Sequence, residues 1–220
     1  MYRLTHSLLE KWMRCTDPDT ASDEAFAAFL NAIERKKGPK TNAMQAGIDF
    51  EDEVNYFIEN GILKAEDGPG EQTFVAMGDT HVTEKRKFND PQSRAIRQIG
   101  KILSGAQLQV REEKTIRLCG MDIHLVGVAD ALKAGMLYDI KRVQRYEYGK
   151  YQFSTQHPMY FELFPEAMKF SYLIFDGQYL YREDYRRGDF EPIETTAAAF
   201  LRYLEGAGLM DIYKEHWREY

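Results

Sequence analysis

Apolar and polar positions follow two different periods along this chain, and the change falls near residue 106. Before it, apolar side chains recur at the spacing of amphipathic helices. Residues 4–15, LTHSLLEKWMRC, put Leu8, Leu9 and Trp12 on one side, and Asp17-Pro18 breaks the helix. Ser22-Asp23-Glu24 is a helix start, and AFAAFLNAIERKK runs from it to a stop at Gly38-Pro39. A third helix covers about 43–59 and ends at Gly61. At about 100° per residue, Gly47, Phe50, Val54, Phe57 and Ile58 form its apolar side. Glu51 lies at the edge of that side, Asp52 nearly opposite, and Glu53 on the far edge. A loop over 64–71, a strand over 72–77 and a helix over 92–103 follow, while the polar run 78–90 sets no element.

Beyond Ala106 the period shortens to two. AQLQVREEKTIRL, IHLVGVADAL and MLYDIKRV read as a three-strand meander, turning at 119–122 and at Ala134-Gly135. Gly127 inside the second strand marks a bulge or a close backbone approach. Residues 150–163 read as mostly helical, and Pro158 demands a kink there or a helix start nearer Ser154. MKFSYLIFDGQYLYREDY is an aromatic hairpin around Asp176-Gly177, read as sheet edge, core and surface rather than a base-stacking platform. Residues 195–220 form a helical tail broken near 206–208. The order predicts an α/β fold with a mixed central β-sheet flanked by helices. It is expected as one domain over 1–220, with a core over about 40–180, a helical N-terminal extension over 1–39 and a helical tail over 190–220.

Composition narrows the setting. No apolar run is long enough to span a membrane, and MYRLTHSLLEKW lacks the apolar stretch of a secretory signal. Cys15 and Cys119 make neither a metal motif nor a disulfide framework, so a reducing, cytoplasmic location is expected. The net charge of −6 counts against a nucleic-acid partner in general, although an acidic metal site adds negative charge that bound cations offset. Lys85-Arg86-Lys87, Lys141-Arg142 with Arg145, and Arg186-Arg187 are local basic patches that also read as solvated faces.

The stretch GVADALKAGMLYDIK, residues 127–141, carries the candidate chemistry. Side chains two apart on a strand share a face. Asp139 and Lys141 therefore project together while Ile140 points the other way, and Asp130 joins them across the hairpin if it pairs so. Two carboxylates and an ammonium are the parts that hydrolyse a phosphodiester with a divalent metal. Asp130, Asp139 and the Ile140 carbonyl suit the hard oxygen shell of Mg2+ or Mn2+. Lys141 can orient the water or neutralise charge on the phosphorane. A surface ion pair explains the same spacing. Gln156 and Tyr160 share a helix face and suit substrate contact, or a half-buried polar face. Glu51 alone reads as an exposed acid. His6, His81, His124, His157 and His216 are scattered, without zinc spacing, and read as structural or exposed.

Gly127 to Asp130, then Asp139-Ile140-Lys141, then Gln156 to Tyr160 resemble the PD-(D/E)XK nuclease superfamily, in its RecB-like and lambda-exonuclease-like branch. Gly47-Ile48-Asp49-Phe50-Glu51 looks like that branch's first motif, and SLLEKWMRC resembles its S-x-L-x-x-aromatic-x-x-C start. The resemblance covers about 40–180 and implies a restriction-endonuclease-like core. It implies Asp130, Asp139 and Glu51 as acids at a metal, Lys141 as catalytic lysine, and Gln156 and Tyr160 as DNA contacts. Ala129 departs from the nominal proline, and Glu51 stands where many RecB-type domains carry histidine. Two cysteines cannot make the four-cysteine iron–sulfur variant, so no cluster is expected.

The expected function is a Mg2+- or Mn2+-dependent deoxyribonuclease acting in DNA processing or recombination. An exonuclease is favoured over a sequence-specific endonuclease because no separate segment for reading base edges stands out. DNA is the expected partner and a membrane is not. By the resemblance, a homo-oligomer and a single-strand annealing or recombination partner are allowed. The rival readings are a nuclease-like fold that binds nucleic acid without cutting it, and a structural or partner-binding protein whose acids are ion pairs.

Overall fold

The computed structural model describes residues 1–64, 73–77, 80–84 and 90–219, with the backbone alone at 73–77 and 80–84. Its centre is a mixed six-stranded sheet: β1 (Tyr2–Leu4), β4 (Gln107–Leu118), β5 (Met121–Lys133), β6 (Met136–Arg142), β7 (Lys169–Phe175) and β8 (Leu180–Arg186). β2 (Thr73–Met77) and β3 (Thr80–Glu84) form a separate antiparallel pair. Seven helices are described: α1 (His6–Thr16), α2 (Asp23–Ile33), α3 (Asn42–Asn60), α4 (Pro91–Leu103), α5 (Gln156–Leu163), α6 (Ile193–Gly206) and α7 (Met210–His216). This is the mixed sheet flanked by helices that the sequence predicts.

The period-two pattern sorts the strands into two layers. On β7, Phe170, Tyr172 and Ile174 pack with Leu8 and Leu9 of α1, Phe29 of α2, Met159 of α5, Phe200 of α6 and Tyr213 of α7. Leu173 and Phe175 pack on the other face with Phe50 and Val54 of α3 and Ile96 and Ile99 of α4. β6 divides the same way, with Leu137 in the first cluster and Tyr138 and Ile140 in the second.

β5 positions everything that follows. One of its edges pairs with β4 along nearly its whole length. The other edge is divided: β1 runs parallel to 123–125, and β6 pairs with 131–133. Residues 126–130 have no strand partner on that side. Buried N–H and C=O groups left this way are costly, and side chains fill the gap. The Tyr160 hydroxyl donates to the Val128 carbonyl at 2.6 Å and accepts from the Val128 N–H at 3.2 Å. Asp130 Oδ2 accepts the Ile140 N–H at 2.7 Å. Gly127 lets α5 come this close. A Cβ there would stand 2.7 Å from Leu163 Cδ1 and 3.2 Å from the Tyr160 ring. The register with β4 is unbroken at Gly127, so a close approach, not a bulge, explains it.

Several sequence expectations need correcting. Leu4 belongs to β1, buried and paired with Leu125, so the first helix starts at His6. A three-residue strand leaves no readable period. α2 ends at Ile33, ahead of Gly38, because Arg35 adopts φ 54° and the Lys36 N–H returns to the Asn31 carbonyl at 2.8 Å. The Arg35 guanidinium lies 5.0 Å over the Trp217 ring, which holds that turn in place. Of the two readings of 150–163, the late helix start holds and the kink does not: the helix is confined to Gln156–Leu163, with Pro158 in the first turn where its missing N–H costs nothing. β7 lies inside the sheet, parallel to β6, so only β8 of the aromatic hairpin is an edge. β3 occupies part of the run that set no element. Beyond Lys64, the loop expected over 64–71 lies outside the described residues.

His157 is fully buried, stacked on Tyr185 at 4.4 Å with Nδ1 3.4 Å from the Tyr172 hydroxyl. Burial lowers its pKa from 6.5 to about 4. The unfolded chain therefore takes up a proton between those values that the fold refuses, and stability falls as pH drops through that window. Acidification from pH 7 to about 4 should cost on the order of 3 kcal/mol at this residue. In urea titrations, His157→Phe should flatten that part of the pH profile, and an unchanged slope would contradict it. Tyr160→Phe should cost about 1–3 kcal/mol by stranding the Val128 backbone. Unaltered urea stability in that variant would mean the gap needs no seal.

Candidate active site

The divided edge of β5 faces the end of β6 that has splayed away from it. Asp139 sits at the centre, 5% exposed. Lys141, two residues on and on the same face, places Nζ 3.0 Å from Asp139 Oδ1 and 2.8 Å from Oδ2. Gln156, the first residue of α5, donates its Nε2 to Asp139 Oδ1. Asp139 Oδ2 makes no hydrogen bond, although the ammonium is near. Asp130 reaches into the same opening from β5 and takes the Ile140 N–H in place of a ladder partner. Ile140 itself points into the opposite cluster, as alternation requires.

Glu51 arrives from α3, whose Phe50 and Val54 are buried against the second face of the sheet. It is half-buried at the rim of that face, and its Oε1 accepts 2.9 Å from Gln109 Nε2. Burial, with Asp139 nearby, raises its pKa above the usual carboxylate range, against the Gln109 bond that lowers it. Burial and the charges of Asp139 and Glu51 push Asp130 well above that range. Burial alone would lower the Lys141 pKa, but Asp139 and then Asp130 overcome it and hold the ammonium charged. The side chain is 32% exposed, so one end of the ion pair meets solvent.

The structure thus gathers Asp139, Lys141 and Gln156 by contact, and Asp130 and Glu51 by charge. Gln156 and Tyr160 do not present the outward faces expected for DNA contacts. Gln156 is buried and spends its amide on Asp139, while Tyr160 is buried and spends its hydroxyl on Val128. Their four-residue spacing is real, but the face they share is turned to the sheet.

Gln109 is the residue the sequence reading missed. Leu108 pairs with Ala131 and Val110 with Ala129, so Gln109 stands opposite Asp130. Its φ of 51° is left-handed, a strained state for a side-chain-bearing residue in a strand. That turn of the backbone accompanies the bond to Glu51. Counting back from the turn at Cys119-Gly120 would have found its position, though nothing in the sequence signals its conformation.

Among the described residues, no three His, Cys, Asp or Glu side chains lie close enough to hold a metal ion as they stand. The donor set still fits a hard divalent cation in kind. Three carboxylates confront one ammonium, and two of them are pushed toward protonation. A bound cation would relieve each of these.

No family model matches the chain, and no curated protein does. Two solved structures are similar to it. The crystal structure of SSO0001 is similar over 94% of this chain and 77% of that one, at 11% identity and a TM-score of 0.51. The crystal structure of LHK-Exo in complex with dAMP covers 96% of this chain and 91% of that one, at 15% identity and a TM-score of 0.41. At such identity the likeness to SSO0001 speaks to the fold alone. No helix among the described residues is long and apolar enough to cross a membrane.

Strain at Gln109 gives an ordered prediction. Gln109→Gly relaxes the backbone and should stay within about 1 kcal/mol of the native stability, although it loses the bond to Glu51. Gln109→Val forces a β-branched residue into the same φ and should lose about 2 kcal/mol or more. Urea denaturation of both variants checks the order, which a valine variant as stable as the glycine one would overturn.

Proposed function

We propose that this chain is a metal-dependent deoxyribonuclease, an exonuclease of the PD-(D/E)XK type acting in DNA processing or recombination. The observation that carries the reading is the opening between β5 and β6, where Asp130, Asp139 and Lys141 meet in a partly solvent-facing cluster whose charge also reaches Glu51.

Asp130, Asp139 and Glu51, with the Ile140 carbonyl, would hold Mg2+ or Mn2+. When bound, such an ion supplies Lewis-acid stabilisation at the phosphate and acidifies a water. The protein's own groups set the rest. Lys141 keeps its proton through Asp139 and offers a positive charge to the phosphate oxygens as negative charge builds there. Gln156 fixes the Asp139 carboxylate from the α5 side, and Tyr160 keeps the β5 edge open by taking the place of a strand. Water adds to phosphorus on one side and gives up a proton to solvent, while the bond to the opposite phosphodiester oxygen breaks and that oxygen takes a proton from solvent.

A surface ion pair fits these observations less well, because Asp139 is 5% exposed. Breaking such a pair by removing one partner normally costs stability.

Asp130→Asn and Lys141→Ala should each reduce degradation of end-labelled linear DNA by at least about 100-fold with the fold retained by circular dichroism. Chelator should abolish the native activity, and Mn2+ should raise the native melting temperature but not that of Asp130→Asn. Full activity in either variant, or activity in chelator, would sink the assignment. Closed circular DNA should resist cleavage; cutting it as fast as linear DNA would make the protein an endonuclease.

A further inference from the structure

The segment 143–155 connects β6 to α5. It begins two residues after Lys141 and ends at Thr155, next to Gln156, and both flanking residues touch Asp139. It also carries the two most exposed large hydrophobic side chains among the described residues, Tyr148 at 91% and Phe153 at 81%.

Exposure on a loose loop would mean little, but this loop is fastened. The Val143 N–H donates to the Phe175 carbonyl at 2.9 Å. The Tyr146 ring packs 4.4 Å from Tyr181, and its hydroxyl donates to the buried carboxylate of Glu183. The Gly149 N–H donates to the same Glu183 oxygen at 2.8 Å. Tyr151 stacks on Tyr172 at 4.5 Å and 18°. Ser154 Oγ donates to Glu10 Oε1 at 2.5 Å, and Thr155 Oγ1 to the His6 carbonyl at 3.0 Å. Two of the loop's four rings are thus tucked in, and the other two are held out in water by a fixed backbone.

Along the segment itself cations outnumber acids, although Glu10 and Glu183 accept hydrogen bonds from it and Arg145 pairs with Glu147 at 3.2 Å. Residues 141–153 hold Lys141, Arg142, Arg145 and Lys150 against one acid, Glu147, in a chain whose net charge is −6. Beside Tyr148 lies a hollow of about 460 Å3 whose wall includes Gln152, Arg182 and Asp184, which offer donors and acceptors. Flat rings in a basic setting bind the faces of unpaired bases, whereas a duplex keeps its base faces stacked inside.

We infer that 143–155 is a stacking platform for unpaired bases, so that the strand reaching the site is single-stranded DNA. The inference rests on the nuclease reading and narrows its substrate. Tyr148 and Phe153 hold bases by their faces, and Arg142, Arg145 and Lys150 track the backbone leading to Lys141.

The test measures binding in EDTA, where no cleavage occurs, by anisotropy of a labelled oligodeoxythymidylate, an abasic oligomer of equal length and a blunt duplex. The double variant Tyr148→Ala, Phe153→Ala should weaken oligodeoxythymidylate binding by at least about 10-fold, and leave the abasic oligomer and duplex within about twofold. Tyr148→Trp with Phe153→Trp should restore it. Both positions are exposed, so an unchanged circular dichroism spectrum is expected. Unchanged oligodeoxythymidylate binding, or equal losses on the abasic oligomer or duplex, would overturn the platform and leave the nuclease reading standing. A native chain that binds none of the three would overturn both.

Discussion

The divided edge of β5 is the constraint on which the rest depends. β6 is held along its full length by parallel pairing to β7, and only its first three residues meet β5. Its direction is therefore set by β7, and it must diverge from β5 beyond Tyr138. Divergence leaves backbone groups of β5 without a ladder. An ordinary sheet would lose stability there, but the Tyr160 hydroxyl serves the β5 backbone at Val128 and the Asp130 carboxylate serves the β6 backbone at Ile140. An opening in a sheet is thereby made compatible with a buried core, and Asp139 and Lys141 can meet in it.

The same opening concentrates charge that the fold alone would not choose. Three acids lie near one ammonium, and burial first, then the charge of neighbouring carboxylates, raises the pKa values of Asp130 and Glu51. Gln109 adds backbone strain to hold Glu51. Local cost of both kinds is gathered at one place, as it often is at functional sites. The tyrosines nearby serve the opposite purpose. Tyr146 and Tyr185 both donate to Glu183 and make a buried carboxylate harmless.

Much of this was legible in the sequence, for physical reasons. The meander was readable because Ala134-Gly135 and Cys119-Gly120 supply the positive φ that tight hairpins require. Alternation then put Asp139 and Lys141 on one face and Ile140 on the other. Helical angles put Glu51 at the rim of an apolar face, where the structure has it. Contacts made across the chain were illegible. Nothing local tells that Tyr160 will substitute for a strand, that Gln156 will face inward, or that Leu4 will pair with Leu125. Tyr148 and Phe153 escaped notice because composition gives no clue to which of the rings in 146–153 are tucked in.

β1 and α1 come from the far end of the chain, yet α1 fastens the segment that leads into α5. Thr155 bonds the His6 carbonyl and Ser154 bonds Glu10, across 149 and 144 residues. Closing loops of that length costs entropy before any contact rewards it. The hairpins β4–β5 and β5–β6 are local and can form early, with one edge of β5 still bare. Ser154 and Thr155, just ahead of Gln156, gain these anchors only when the N-terminal segment docks. A chain without that closure would keep Asp139 and Lys141 on β6 but leave the approach to Gln156 unfastened.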